Sequence, residues 1–140
     1  MDSQILDKLI RYCTYSERCA FDVKYKMKQL QVPAAEQQEY LARLIKERFV
    51  NDLRYAETYV HYYTTNKKQG KQKIKSALLL KQIPKQIVER LLKEVDDESY
   101  DETIFFLAEK KLNSLHKGTA TEKRAKVLRY LLTKGYEMNK

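Results

Sequence analysis

Between Thr58 and Val88 the chain carries seven lysines, Lys67, Lys68, Lys71, Lys73, Lys75, Lys81 and Lys85, and no acidic residue. Solvated faces normally mix both signs, so this acid-free window predicts contact with an anionic partner. Residues 51–95 hold +6 of the net charge of +9. A smaller basic group, Lys123, Arg124, Lys126 and Arg129, lies farther along, with Lys110 and Lys111 before it. The chemistry open to these groups is electrostatic, because ammonium and guanidinium groups neutralise phosphates and release their counterions. Tyr62 and Tyr63 stand just ahead of the lysines, where their rings could stack on a base or enter a core.

Bond-making chemistry has little support. His61 and His116 are far apart, and His61 lies in a tyrosine-rich run. Cys13 and Cys19 are six residues apart, which puts them on different faces of a helix and sets up neither a metal site nor a disulfide scaffold. There is no CxxC, HExxH or phosphate loop, and three glycines are too few for a nucleotide cradle. Glu17, Asp22 and the acids of 96–102 could be brought together only by the fold. The chain therefore reads as a non-enzyme without a metal or cofactor.

The elements that would position the lysines are helices. Few glycines and prolines, 34% charged residues and abundant leucine and lysine favour helix over a turn-rich β protein. No apolar run approaches the ~20 residues of a membrane span. The N-terminus MDSQILDKLI has acids where a signal peptide has bases. A reduced, cytoplasmic chain is expected, with no membrane contact and monomeric in its own right.

An internal repeat organises the chain. Val23, Met27 and Val32 share their spacing with Ile74, Leu78 and Ile83, 51 positions on, and with Val127, Leu131 and Tyr136, 53 beyond those. Ile5 and Leu9 match Ala56 and Val60, which match Ala108 and Leu112; Tyr40, Leu41 and Leu44 match Leu91, Leu92 and Val95. The fold class is all-α: tandem three-helix repeats with a period of 51–53 residues, stacked in an elongated, curved array. Repeat 1 spans 1–50, the basic repeat 2 spans 51–96, and repeat 3 spans 97–140 without its third helix, which would need residues 138–148. The spacing predicts helices over 3–14, 17–30, 34–48, 52–66, 71–81, 85–95, 98–115 and 121–134, with Asp52 capping the fourth, Gly70 making a turn, and Thr119 or Thr121 capping the last. With no helix to cover Leu128, Leu131 and Leu132, the last turn after Lys134 is expected to be mobile or to present an exposed patch. The repeat also predicts that Lys123, Arg124 and Lys126 share a face with the lysines of repeat 2.

These residues resemble the RecX family, bacterial regulators of the RecA recombinase. The family's first unit has Arg-Ser-x-x-Glu-Leu-x-x-Lys-Leu, where this chain has Arg18-Cys19, Asp22-Val23 and Lys26-Met27. Its second has Asp-x-x-Phe/Tyr-Ala, Gly-x-x-x-Ile-x-x-x-Leu and Lys-Gly-Ile, matched by Asp52, Tyr55-Ala56, Gly70, Ile74, Leu78 and Lys81-Gln82-Ile83. Its third ends in Arg-Gly-Phe/Tyr, matched by Lys134-Gly135-Tyr136, with Ala108 and Lys110-Lys111 upstream. Cys19, Asp22 and Gln82 depart from the pattern. The resemblance implies a non-enzymatic protein that binds RecA–DNA filaments and restrains filament growth, ATP hydrolysis and strand exchange, in DNA repair and the SOS response. The residues assigned to partner and single- or double-stranded DNA contact are Lys67, Lys68, Lys71, Lys73, Lys75, Lys81, Lys123, Arg124 and Lys126. A stand-alone DNA-binding module is the competing reading. An adaptor of tetratricopeptide type is disfavoured, because its 34-residue period is absent.

Overall fold

The computed structural model describes residues 1–137, which form eight helices and no strand. They are α1 (Ser3–Tyr15), α2 (Ala20–Gln29), α3 (Ala34–Lys46), α4 (Asp52–Thr65), α5 (Lys71–Leu80), α6 (Lys85–Lys93), α7 (Asp97–Ser114) and α8 (Ala120–Thr133). Their starts are chemically marked. Side-chain oxygens of Asp2, Asn51, Asp96 and Thr119 each accept from a free backbone N–H of the first turn. Pro33 and Pro84 stand just before α3 and α6, where a missing N–H costs nothing.

The period is visible in the backbone as well as in the side chains. After α2, α5 and α8 the chain makes the same left-handed stop, at Gln31 (φ 62°), Gln82 (φ 61°) and Gly135 (φ 98°). At each stop the following residue reaches back five positions: Val32 N–H to Met27 O (2.9 Å), Ile83 N–H to Leu78 O (3.2 Å) and Tyr136 N–H to Leu131 O (3.0 Å). This is the Schellman termination, in which orphaned carbonyls of the last turn are satisfied and an apolar residue is turned inward. Val32, Ile83 and Tyr136 are all buried. The anchors that repeat along the sequence are therefore the residues that fold each helix end onto its own unit.

Each unit has its own core. The first gathers Leu9, Val23, Met27, Tyr40, Leu41 and Leu44. The second gathers Ala56, Val60, Ile74, Leu78, Val88 and Leu91. The third is reduced to Tyr100, Leu107 and Tyr136, with Ile104, Tyr130 and Leu131 packed against it. Val23 and Ile74 are fully enclosed, whereas their counterpart Val127 is only half-buried and Leu112 is 45% exposed. A unit with two helices among the described residues leaves open the side that α3 and α6 close in the others.

Four expectations are corrected. Asp52 does not cap α4; Asn51 does so, and Asp52 Oδ1 instead accepts from Ala20 N–H (2.8 Å), at the N-terminus of α2. That second helix begins at Ala20 rather than at residue 17, with Asp22 of its own unit accepting from Cys19 N–H and Asp52 reaching its N-terminus from the next unit. Gly70 does not make the expected turn; its backbone is extended. It precedes α5 with φ −80°, and it must be glycine because a Cβ there would lie 2.1 Å from Gly135 C. The segment after Lys134 is held: Gly70 N–H donates to Lys134 O (2.7 Å), Gln72 N–H donates to Gly135 O (3.0 Å), and Tyr136 is buried. The exposed apolar patch lies instead on α7 and α8, at Phe105, Phe106, Leu112, Leu128 and Leu132. Residues 138–140, where the absent third helix would begin, lie outside the described residues.

Candidate functional site

The docking of Gly135 on Gly70 sets the geometry of the basic surface. It brings the C-terminus of α8 against the loop and first turn of α5, so that Lys134 joins the lysines of the second unit. Lys134 Nζ donates to Lys67 O (3.4 Å). A Cβ on Gly135 would lie 2.5 Å from Cβ of Lys73, which shows how closely the two segments meet. Burial, and then the like charges of Lys73 and Lys68, hold the Lys134 ammonium below its ordinary pKa. Lys68, Lys73 and Lys134 thus form one cluster, to which Lys67 is joined through its carbonyl oxygen, and among the described residues no carboxylate forms an ion pair with any of the four. Lys68 itself has a left-handed backbone (φ 51°) in the loop between α4 and α5.

The other lysines of the acid-free window have different surroundings. The ammonium of Lys71 sits 4.7 Å from the Tyr100 ring centroid, and the Lys71 backbone N–H donates to Tyr100 Oη (2.9 Å), which in turn donates to Glu137 Oε1 (2.9 Å). Lys71 therefore helps to join the second unit to the third. Lys75 is half-buried along α5. Lys81 forms an ion pair with Asp22, whose second oxygen accepts from Cys19 N–H (3.3 Å). Burial opposes the Lys81 charge, but the hydrogen bond and charge of Asp22 outweigh it and the pKa is raised. Lys123, Arg124 and Lys126 lie on the first turns of α8. Lys123 and Arg124 border a groove of ≈ 560 Å³ floored by Phe105, Ala108, Leu112 and Val127. Sequence distance concealed Lys134, which is 67 residues from Lys67. The available signal was the Lys-Gly-Tyr run in register with Lys81-Gln82-Ile83.

The acids and thiols are engaged in structure. Glu17 Oε1 accepts from Arg54 Nε (2.8 Å). Cys13 and Cys19 are buried and unpaired, and burial pushes the Cys19 thiol up to about 11, the wrong direction for a nucleophile. Among the described residues no group of histidines, cysteines and acids could hold a metal, and no helix is long and apolar enough to cross a membrane.

Successive helical triplets with separate cores, identical left-handed stops and a basic surface across the second joint define a tandem three-helix repeat protein. Residues 51–92 and 98–139 match the models of the second and third three-helix domains of RecX. The chain belongs to the RecX family. It is 29% identical over 127 residues to Regulatory protein RecX of Bacillus mycoides (strain KBAB4), covering 91% of this chain and 47% of that protein. It is 39% identical over 90 residues to the Clostridium perfringens (strain 13) protein of the same name, covering 63% and 42%. The crystal structure of RecX from Lactobacillus salivarius has a TM-score of 0.86 at 29% identity, over 98% of this chain and 89% of that one. A further crystal structure of regulatory protein RecX has a TM-score of 0.89 at 23% identity, over 98% and 68%, and speaks to the fold alone. The chain spans about half the length of the curated relatives it matches.

Proposed function

We propose that this chain is a non-catalytic regulator that binds the RecA–DNA filament and limits its growth, and with it ATP hydrolysis and strand exchange. Its setting is recombination, DNA repair and the SOS response in the bacterial cytoplasm. The observation that carries this reading is the lysine cluster of Lys68, Lys73 and Lys134, with Lys67 beside it, held together by a backbone contact although its charges repel. Neighbouring ammonium groups without a carboxylate complement a phosphate backbone. A body of separate small cores offers extended surface rather than an enclosed chamber, so its binding energy must be spread over a long partner. Membership of the RecX family supports the RecA filament as that partner.

The test is RecA-catalysed ATP hydrolysis on single-stranded DNA, with and without the chain. A filament regulator lowers hydrolysis at amounts well below one molecule per recombinase subunit. It also keeps its grip at salt concentrations that release bare DNA, because contacts to protein include apolar and hydrogen-bonded ones that screening does not remove. A stand-alone DNA-binding module behaves in the opposite way: inhibition needs enough protein to coat the DNA, vanishes with salt in step with bare DNA binding, and is reversed by excess competitor DNA. That second pattern would replace the regulator reading with the module.

A further inference from the structure

The first and second units enclose an open cleft of ≈ 580 Å³ whose walls are aromatic. Tyr12, Phe21 and Tyr25 form one wall, and Tyr55, Tyr59 and Tyr62 form the other. The α4 wall is a continuous ladder. Tyr55 and Tyr59 centroids lie 6.0 Å apart, Tyr59 and Tyr63 are stacked at 4.1 Å, and Tyr62 meets Tyr63 edge-on at 5.2 Å. Ordinary core packing does not account for all of these rings, because Tyr25 is 59% and Tyr62 is 43% exposed. The volume lies within the ~300–1,000 Å³ typical of ligand-holding clefts.

Charge decides what fits. The two acids on the lining, Glu17 and Asp22, are already paired with Arg54 and Lys81. Two cations at the edges have no carboxylate pair among the described residues. The Arg18 guanidinium lies 3.8 Å from the Tyr12 centroid, and Lys67 Nζ lies 6.0 Å from the Tyr62 centroid. The Lys67 carbonyl accepts from Lys134 Nζ (3.4 Å), so this edge of the cleft adjoins the basic surface. Apolar side chains of a protein would fill the aromatic space but leave the cations without a partner. A nucleotide satisfies both, with its base between rings and its phosphate at Arg18 or Lys67.

We propose that the cleft between the first and second units is a base-stacking subsite for single-stranded nucleic acid, entered from the Lys67 end. The proposal rests on the reading that the basic surface meets DNA. It adds that bases, and not only phosphates, are held.

The experiment compares binding of the full chain to oligothymidylate and to an abasic oligonucleotide of equal length at fixed salt. Stacking makes the thymidylate bind tighter by roughly tenfold per held base. Tyr25→Leu with Tyr62→Leu should remove that difference and leave abasic binding and the salt slope unchanged. Tyr62→Phe should retain it, since the π face remains. Circular dichroism checks that the variants stay helical, and the Phe variant reports even where a Leu variant unfolds. Equal affinity of the unaltered chain for both oligonucleotides would overturn the subsite while leaving the lysine surface intact. Loss of filament binding by the Leu variants with unchanged thymidylate binding would assign the cleft to a protein side chain and overturn it too. If neither oligonucleotide binds, the DNA reading fails along with the subsite.

Discussion

Tyr136 is buried with its hydroxyl unpaired among the described residues, in a core that includes Tyr100, and burial pushes its pKa up to about 12. An unsatisfied buried hydroxyl costs desolvation and returns nothing. Tyr136→Phe is therefore expected to leave stability unchanged or to raise it by about 1 kcal/mol, read by denaturant unfolding at constant slope. Gly70→Ala should do the reverse. Its new methyl would meet backbone atoms of Gly135 and Tyr136, which cannot rotate away, and a cost of about 1–3 kcal/mol or more is expected. Gln31 and Gln82 pose the third test at this scale. Both hold a left-handed φ that costs an L-residue about 1 kcal/mol. Gln31→Gly and Gln82→Gly should each recover part of that, raising the melting temperature. The titrations of Lys81 and Lys134 have opposite signs. Lys81 has a raised pKa, so its pairing with Asp22 is fully present below 10.5 and is lost as pH climbs through the higher folded value. Lys134 has a lowered pKa, so its crowding weakens stability at neutral pH and the penalty fades as pH approaches 10.5.

At the scale of the helix, α5 and α8 carry the electrostatic prediction. If about four lysines contact phosphates of single-stranded DNA, log K should fall with log salt at a slope near −3. Lys67→Glu, Lys68→Glu and Lys73→Glu together should weaken binding at low salt and flatten that slope; a folded triple variant with unaltered affinity would make the cluster ordinary solvated surface. The helices themselves were legible from sequence to within a few residues, because apolar residues three and four apart report which face is buried. What buries that face was not legible. Asp52 stands where a cap belongs, but its carboxylate serves a helix of another unit. Lys81 stands in the acid-free window, but Asp22 lies beside it in space, 59 residues away in sequence. Gly70 reads as a turn because glycine usually is one, and only the fold places Gly135 against it. Sequence reasoning sees neighbours along the chain, whereas each of these roles depends on neighbours across a joint.

Across the whole molecule, stability should be uneven. The first two units bury residues on three helices each, whereas α8 contains no fully buried residue and the third core is small. Native-state hydrogen exchange is expected to show strong protection in α2 and α5 and weaker protection in α8. Protection of α8 equal to that of α5 would mean that the units unfold as one. The joints are where this matters. Between the first and second units, Glu17–Arg54, Asp22–Lys81 and the Asp52–Ala20 hydrogen bond cross the boundary. Between the second and third, the crossing is made by backbone at Gly70 and Gly135 and by the Lys71–Tyr100–Glu137 chain.

That second joint behaves like a charged capacitor. Closing it buries Lys134 and brings it toward Lys68 and Lys73, so electrostatic work is stored in the closed state and is released whenever opposite charge is supplied. Dilute buffer should then loosen the third unit, and added salt should tighten it, contrary to the usual weakening of a paired joint by screening. A polyanion laid across these ammonium groups would discharge the plates altogether. It would raise the Lys134 pKa, draw protons from alkaline solution as it bound, and stiffen the joint between the second and third units at the moment of contact.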